Sequence, residues 1–199
     1  LPAARVCRLP REDFCDPPAV NAVTTAELHD ALPAISGPHF AAGHRGALDE
    51  PRVTVRIEAG FRFVLNSRDE YDLIVLDLTD PGGPSTALYT PEFYNACAKR
   101  LTPIGAMTMH VASPIAHPAR IRETMQELRR AFAQVTPYLT SVPLYGGLWL
   151  MACCSAALDP REPSAMAHDT RIAQPRLPPP QYTTAAASHS ALHPPNSGA

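Results

Sequence analysis

The sequence predicts an α/β protein in which strands and helices alternate to build a doubly wound layer, closed by an antiparallel hairpin. Three observations carry this expectation. The segment Asp72 to Leu78, DLIVLDL, is a nearly unbroken apolar run, which is how a strand covered on both faces of a parallel sheet reads. The segment TPEFYNACAKRL is a helix by its ends, with Thr90 at the N-cap, Pro91 at the first position, Glu92 in the first turn, and Lys99 and Arg100 in the last. The segment YLTSVPLYGGLWLMACCS reads as two strands turned back on each other through Tyr145, Gly146 and Gly147.

The other elements follow in chain order. Ala4 to Leu9 is a short strand, and Pro18 to Leu32 is a helix with proline near its start. Gly37 to Pro51 is a loop. Val53 to Ile57 alternates at period two and is a strand, which Gly60 breaks before a short helical turn. Ala106 to Ala112 is a further strand. Ala119 to Val135 is an amphipathic helix, with Ile121, Met125, Leu128 and Phe132 on one face. From about Ala156 prolines crowd among Ala, Ser, Thr and His, so residues 1–156 form the domain and 157–199 a flexible or loosely docked tail.

Composition narrows the class. A chain of 199 residues fits one domain with a tail, and 45% hydrophobic residues supply its core. The formal charge of −2 provides no basic field for nucleic acid. No apolar run approaches a membrane span, and no charged stretch followed by an apolar one opens the chain as a secretory signal would. The first residue is leucine, as in a fragment or a processed chain. The five cysteines have no zinc-ligand spacing, and they read as reduced thiols packed in a cytoplasmic protein without a metal.

The chemistry concentrates where the most hydrophobic strand ends. Asp77 and Asp80 stand three residues apart, and Pro81, two glycines and Pro84 follow. Ligands of an open parallel sheet bind beyond the carboxyl ends of its strands. Asp80 fits a turn residue equally well, because Asp-Pro-Gly-Gly is ordinary turn chemistry. An acid at the last turn of a buried strand, as Asp77 is, must be solvated, paired or used.

The segment resembles the signature of the polyamine aminopropyltransferases, the spermidine synthase family. That signature is a hydrophobic strand, Asp, two residues, Asp-Pro, a residue, Gly-Pro, then Leu-Phe/Tyr and a helix with Phe-Tyr. Here it stands as Asp77, Asp80-Pro81, Gly83-Pro84, Leu88-Tyr89 and Phe93-Tyr94. SVPLYGGLWLMACCS is similar to the family's Pro-Thr-Tyr-like element, DEPRVTVRIEAGFRFV to its Asp-Pro-Arg-Val strand, and MHVASP to a strand end of some bacterial members. The match runs from about Ala4 to Ser155.

The resemblance implies a Rossmann-like, methyltransferase-type sheet and the transfer of an aminopropyl group from decarboxylated S-adenosylmethionine to a diamine such as putrescine. The nucleoside sulfonium is then a co-substrate, and no other cofactor is expected. It implies that Asp77 is the base, that Asp80 anchors the diamine, and that Tyr145 and His110 line the diamine channel. It places Pro84 against the nucleoside, together with Glu58 and Gly60. The family's ribose-binding acid at the end of its second strand corresponds to Asp13 or Asp16, of which Asp16 keeps the Asp-Pro context. A homodimer or association with an intact homologue is implied as well.

The sequence also departs from the family. The Gly-Gly-Gly-Asp-Gly-type loop after the first strand is absent, and the similarity begins at the second strand. The acid expected before Gly60 is Ala59, with Glu58 beside it, and a strand turns such neighbours to opposite faces. Glu58 therefore reads equally as a solvated charge. Two other expectations stand beside the first: a non-catalytic truncated remnant acting by association, or another nucleoside-dependent transferase of the same fold. His110 also reads as a hydrogen-bonded structural histidine, and Trp149 as core. His168, His189 and His193, and the run Pro178 to Pro180, read as tail composition rather than as metal or partner motifs.

Overall fold

A computed structural model of the chain describes residues 22–31, 50–78, 85–162 and 191–192. Six strands and three α-helices are found among them: β1 (Val23–Glu27), β2 (Val53–Ile57), α1 (Gly60–Asn66), β3 (Tyr71–Leu76), α2 (Pro91–Ala98), β4 (Leu101–Ala112), α3 (Pro118–Ala131), β5 (Gln134–Val142) and β6 (Gly147–Ser155). Short 3₁₀ turns at Thr86–Leu88 and Pro143–Tyr145 precede α2 and β6. β1 and β2 pair in parallel, from Val23 opposite Val53 to Glu27 opposite Ile57. The larger sheet runs in the order β3-β4-β6-β5, with β3 and β4 parallel and β6 antiparallel to both of its neighbours. This is the alternating α/β layer with a closing hairpin that the sequence predicts.

The core lies on one face of the sheet. Ile74, Met107 and Cys154 form one row across β3, β4 and β6, and Leu76, Met109 and Ala152 form the next. Phe63 and Val64 of α1, Phe93, Tyr94 and Cys97 of α2, and Met125 and Leu128 of α3 pack into the same cluster. Ala26 of β1 joins it and ties the two-stranded pair to the larger sheet. On the opposite face, the Thr108 and Tyr138 hydroxyls meet at 2.8 Å, so a polar bridge crosses from β4 to β5 over Cys153 of β6.

Local chemistry accounts for the element ends. The Thr90 hydroxyl accepts from the Phe93 N–H at 3.3 Å and caps α2, and Pro91 takes the first position, where no amide proton is needed. β4 is longer than the Ala106 to Ala112 strand expected, because Leu101 pairs with Tyr71 before the register jumps to Ala106 opposite Leu73. The jump needs a glycine: a Cβ on Gly105 would lie 2.8 Å from the Tyr71 carbonyl oxygen. At the hairpin, Gly146 and Gly147 take φ values of +81° and +141°, which side chains rarely adopt.

Several expectations are corrected. Where the helix Pro18 to Leu32 was expected, the described residues Val23–Glu27 form a strand, because the β-branched residues extend alongside β2. The short helical turn expected after β2 is present as the seven-residue helix α1, with Gly60 as its first residue. Lys99 and Arg100 are not in the last turn of α2, which ends at Ala98 with Lys99 as its C-cap. α3 stops at Ala131, since Phe132 is extended at its cap and Val135 already belongs to β5. The expected strand Ala4 to Leu9 and most of the tail lie outside the described residues.

Candidate active site at the carboxyl rim

β3 brings Asp77 to the rim. Its last paired residue is Leu76, opposite Met109 of the parallel strand β4. Asp77 is the next residue, just past the last pair, and β4 continues beyond Met109 with His110. Asp77 is half-buried, and Leu78 beyond it returns to the core with 2% of its surface exposed. This carboxylate stands at the end of an apolar strand, as the sequence implies.

His110 is buried in an aromatic stack. Its Nε2 lies 2.8 Å from the Tyr89 hydroxyl, and the two rings are nearly parallel, 6.5 Å apart. Trp149 of β6 covers another side at 6.2 Å, and Tyr145 packs on Trp149 at 4.9 Å. Tyr145 is 47% exposed and hangs from the turn that Gly146 reverses, so it forms the open edge of the group. The indole N–H of Trp149 is buried and makes no hydrogen bond among the described residues. Trp149 is buried, as expected of a core residue, and its ring touches both Tyr145 and His110. Burial holds Tyr94, beside Tyr89, protonated far above the ordinary phenol range, and the Glu127 carboxylate adds to the shift.

The nucleoside-side candidates are partly in view. Glu58 is half-buried in the bend between β2 and α1, and Gly60 is buried as the first residue of α1. Asp13, Asp16, Asp80 and Pro84 lie outside the described residues. Sequence reasoning missed Glu27. It ends β1 with 4% of its surface exposed, and its carboxylate accepts the His29 backbone N–H at 3.3 Å. The signal lay in the β-branched start of VTTAE, a run that an acid closes. A hollow of about 380 Å³ opens at the other end of the sheet, by Leu101, Pro103 and Phe132, away from this rim.

The fold defines the class. The chain superposes on a crystal structure of spermidine synthase in complex with the transition-state analogue AdoDATO with a TM-score of 0.80, at 21% identity, over 92% of this chain and 61% of that one. Spermidine synthase from Thermotoga maritima gives 0.75 at 18% identity, over 89% of this chain and 59% of that one. The architecture is thus the Rossmann-like α/β fold of the spermidine synthases. Residues 37–161 match the spermine/spermidine synthase domain, and the chain belongs to that family. It is 40% identical to a polyamine aminopropyltransferase of Nitrosomonas europaea over 157 residues, which are 79% of this chain and 48% of that protein. It is 36% identical to polyamine aminopropyltransferase 2 of Hyperthermus butylicus over 156 residues, 77% and 51% of the respective chains. The chain spans about half the length of these relatives.

Proposed function

We propose that this chain carries the diamine side of an aminopropyl-transfer site, with Asp77 as the base. The observation that supports it is the placement of Asp77 just past the end of β3, whose neighbour β4 carries His110 of the Tyr89–His110–Trp149–Tyr145 group. An alkylammonium, with a pKa near about 10.4 by analogy with lysine, has no lone pair at neutral pH. Asp77 takes its proton and aligns the nitrogen. The nitrogen then attacks the carbon beside the sulfonium. The N–C bond forms as the C–S bond breaks, the electron pair goes to sulfur, and a neutral thioether leaves without a general acid. Asp80 holds the second ammonium, and Tyr145 with Trp149 forms the apolar wall between the two charges.

On the donor side, Pro84 packs on the nucleoside, and Glu58 and Gly60 border the base. The ribose falls to Glu27 rather than Asp16, because Glu27 ends a strand at the rim and is a buried carboxylate. Transfer from decarboxylated S-adenosylmethionine to putrescine tests the proposal. Asp77→Asn should lower kcat/KM by about 10²–10⁴-fold, the usual share of a general base. An unchanged rate would remove Asp77 from this role.

A second reading rests on the half-length match and on Ala59, which leaves the donor side without the expected acid. In it the chain works in the cytoplasm as a homodimer or in association with an intact homologue. Co-purification with a full-length aminopropyltransferase, and a changed transfer rate in the mixture, would support it.

A further inference from the structure

We propose that the C-terminal turn holding Ala191 and Leu192 packs on the second face of the four-stranded sheet and closes it. Helices α1, α2 and α3 all pack on the core face, with Ile74, Met107 and Cys154. The other face carries the rows Thr108–Cys153–Thr136 and His110–Met151–Tyr138, with Val75 of β3 beside Thr108. A strand that is apolar on both sides, as β3 is, needs cover on both faces. Water is kept off this second face. Thr136 is 1% exposed, Val75 and His110 are 6% exposed, and Thr108, Cys153, Met151 and Tyr138 are half-buried. Burial raises both the Tyr138 phenol and the Cys153 thiol above their ordinary ranges.

The surface suits an apolar cover. Its hydroxyls are already paired: those of Thr108 and Tyr138 meet at 2.8 Å, and that of Thr136 donates to Asp159 Oδ1 at 3.4 Å. What remains for a neighbour is threonine methyl groups, the Tyr138 ring, Met151 and Cys153. A helical turn of small residues with one leucine covers such a surface without leaving a polar group unpaired.

The chain leads the tail to this face. After β6 ends at Ser155, the Ser155 hydroxyl accepts the N–H groups of Ala157 and Leu158 and turns the chain. Asp159 then lies by the second face, where it accepts from Thr136 and where its carboxylate helps raise the Cys153 thiol. Residues 163–199 follow from there. Ala191 and Leu192 are helical and half-buried, as residues packed on a neighbour are. At about 3.3 Å per residue, the chain between Glu162 and Ala191 reaches several times further than the strand spacings of about 4.8 Å that cross the sheet. Leu192 is the one large apolar side chain after Tyr182, and Pro194 and Pro195, which follow it, cannot extend a helix.

The test uses the full chain, with the Cys153 thiol on the second face as reporter. Timed alkylation is read by peptide fragment mass spectrometry, which separates Cys153 from Cys154. Leu192→Asp, which puts a charge into the contact, should label Cys153 about tenfold faster than the wild type, while Cys97 and Cys154 on the core face keep their wild-type rates. Equal Cys153 rates in the two proteins would overturn the proposal. A second variant does not depend on how Leu192→Asp folds. In Leu192→Cys, a short bis-maleimide should join the introduced thiol to Cys153 within one chain, as read in a mixture of isotopically light and heavy protein. No such link would overturn the proposal, and so would a link found only between light and heavy chains, which would seat a second copy on this face.

Discussion

At the residue scale, placement decides most. Asp77 sits half-buried at the end of β3 rather than in the core, and the Asp77→Asn test follows from that placement. Asp159 shows the opposite use of a carboxylate. The Arg161 guanidinium beside it, 2.6 Å from Oδ2, holds its pKa down at about 2, helped by the Arg161 backbone N–H and by the Thr136 hydroxyl at 3.4 Å. A depressed carboxyl stabilises the fold above its ordinary value and loses that contribution as pH falls through about 2. Urea midpoints between pH 4 and 2 should therefore fall less steeply for Asp159→Asn than for the wild type. The pair is solvent-exposed, so the effect is small.

The cysteines add a second residue-scale expectation. Burial pushes the Cys97 and Cys154 thiols well above the ordinary range, and it raises Cys153 as well. A thiolate is the reactive form. In the native protein, Cys97 and Cys154 should stay unlabelled by an aromatic disulfide reagent at pH 8, and both should label in urea. Peptide mass spectrometry after timed labelling reads each position. Fast native labelling of Cys97 would show that α2 does not seal the core.

At the element scale, two side chains join parts of the chain that are distant in sequence. Arg100, just past α2, sends Nε to the Val64 carbonyl at 3.3 Å and Nη2 to that of Leu65 at 3.5 Å, so a cation closes the carboxyl end of α1. Arg100→Ala should cost about 1–2 kcal/mol in urea unfolding, as a charged hydrogen bond at a helix terminus does. The buried Ser155 hydroxyl donates to the Gly105 carbonyl at 2.7 Å and accepts the N–H groups of Ala157 at 3.3 Å and Leu158 at 3.0 Å. Removing it leaves buried groups without partners, and Ser155→Ala should cost about 1–3 kcal/mol by the same measurement.

Legibility follows the same division. β3, α2 and the closing hairpin were readable because composition and caps agree with tertiary packing: an apolar run, a Thr-Pro-Glu start and a paired glycine turn. β1 was not. Val23, Thr24 and Thr25 favour a strand, but Ala26, Glu27, Leu28 and Leu32 favour a helix, and only pairing with β2 settles the conflict. The misread strand hid Glu27. Asp77 was visible as an acid ending a buried strand. The pairing of His110 with Tyr89 was not, because 21 residues of chain separate two side chains that meet only when β4 lies beside β3.

At the scale of the whole molecule, the chain matches half of its relatives' length and a larger share of their fold. The rim described here gathers Asp77, His110 and the aromatic side chains of Tyr89, Trp149 and Tyr145. The proposed diamine side rests on Asp77 at this rim. Calorimetric titration of putrescine into the wild type and into Asp77→Asn at pH 7.5 measures this most directly. Saturable binding that weakens about tenfold in the variant, a loss of about 1.4 kcal/mol, is expected. Equal affinity in the two proteins, or no binding by the wild type, would contradict it.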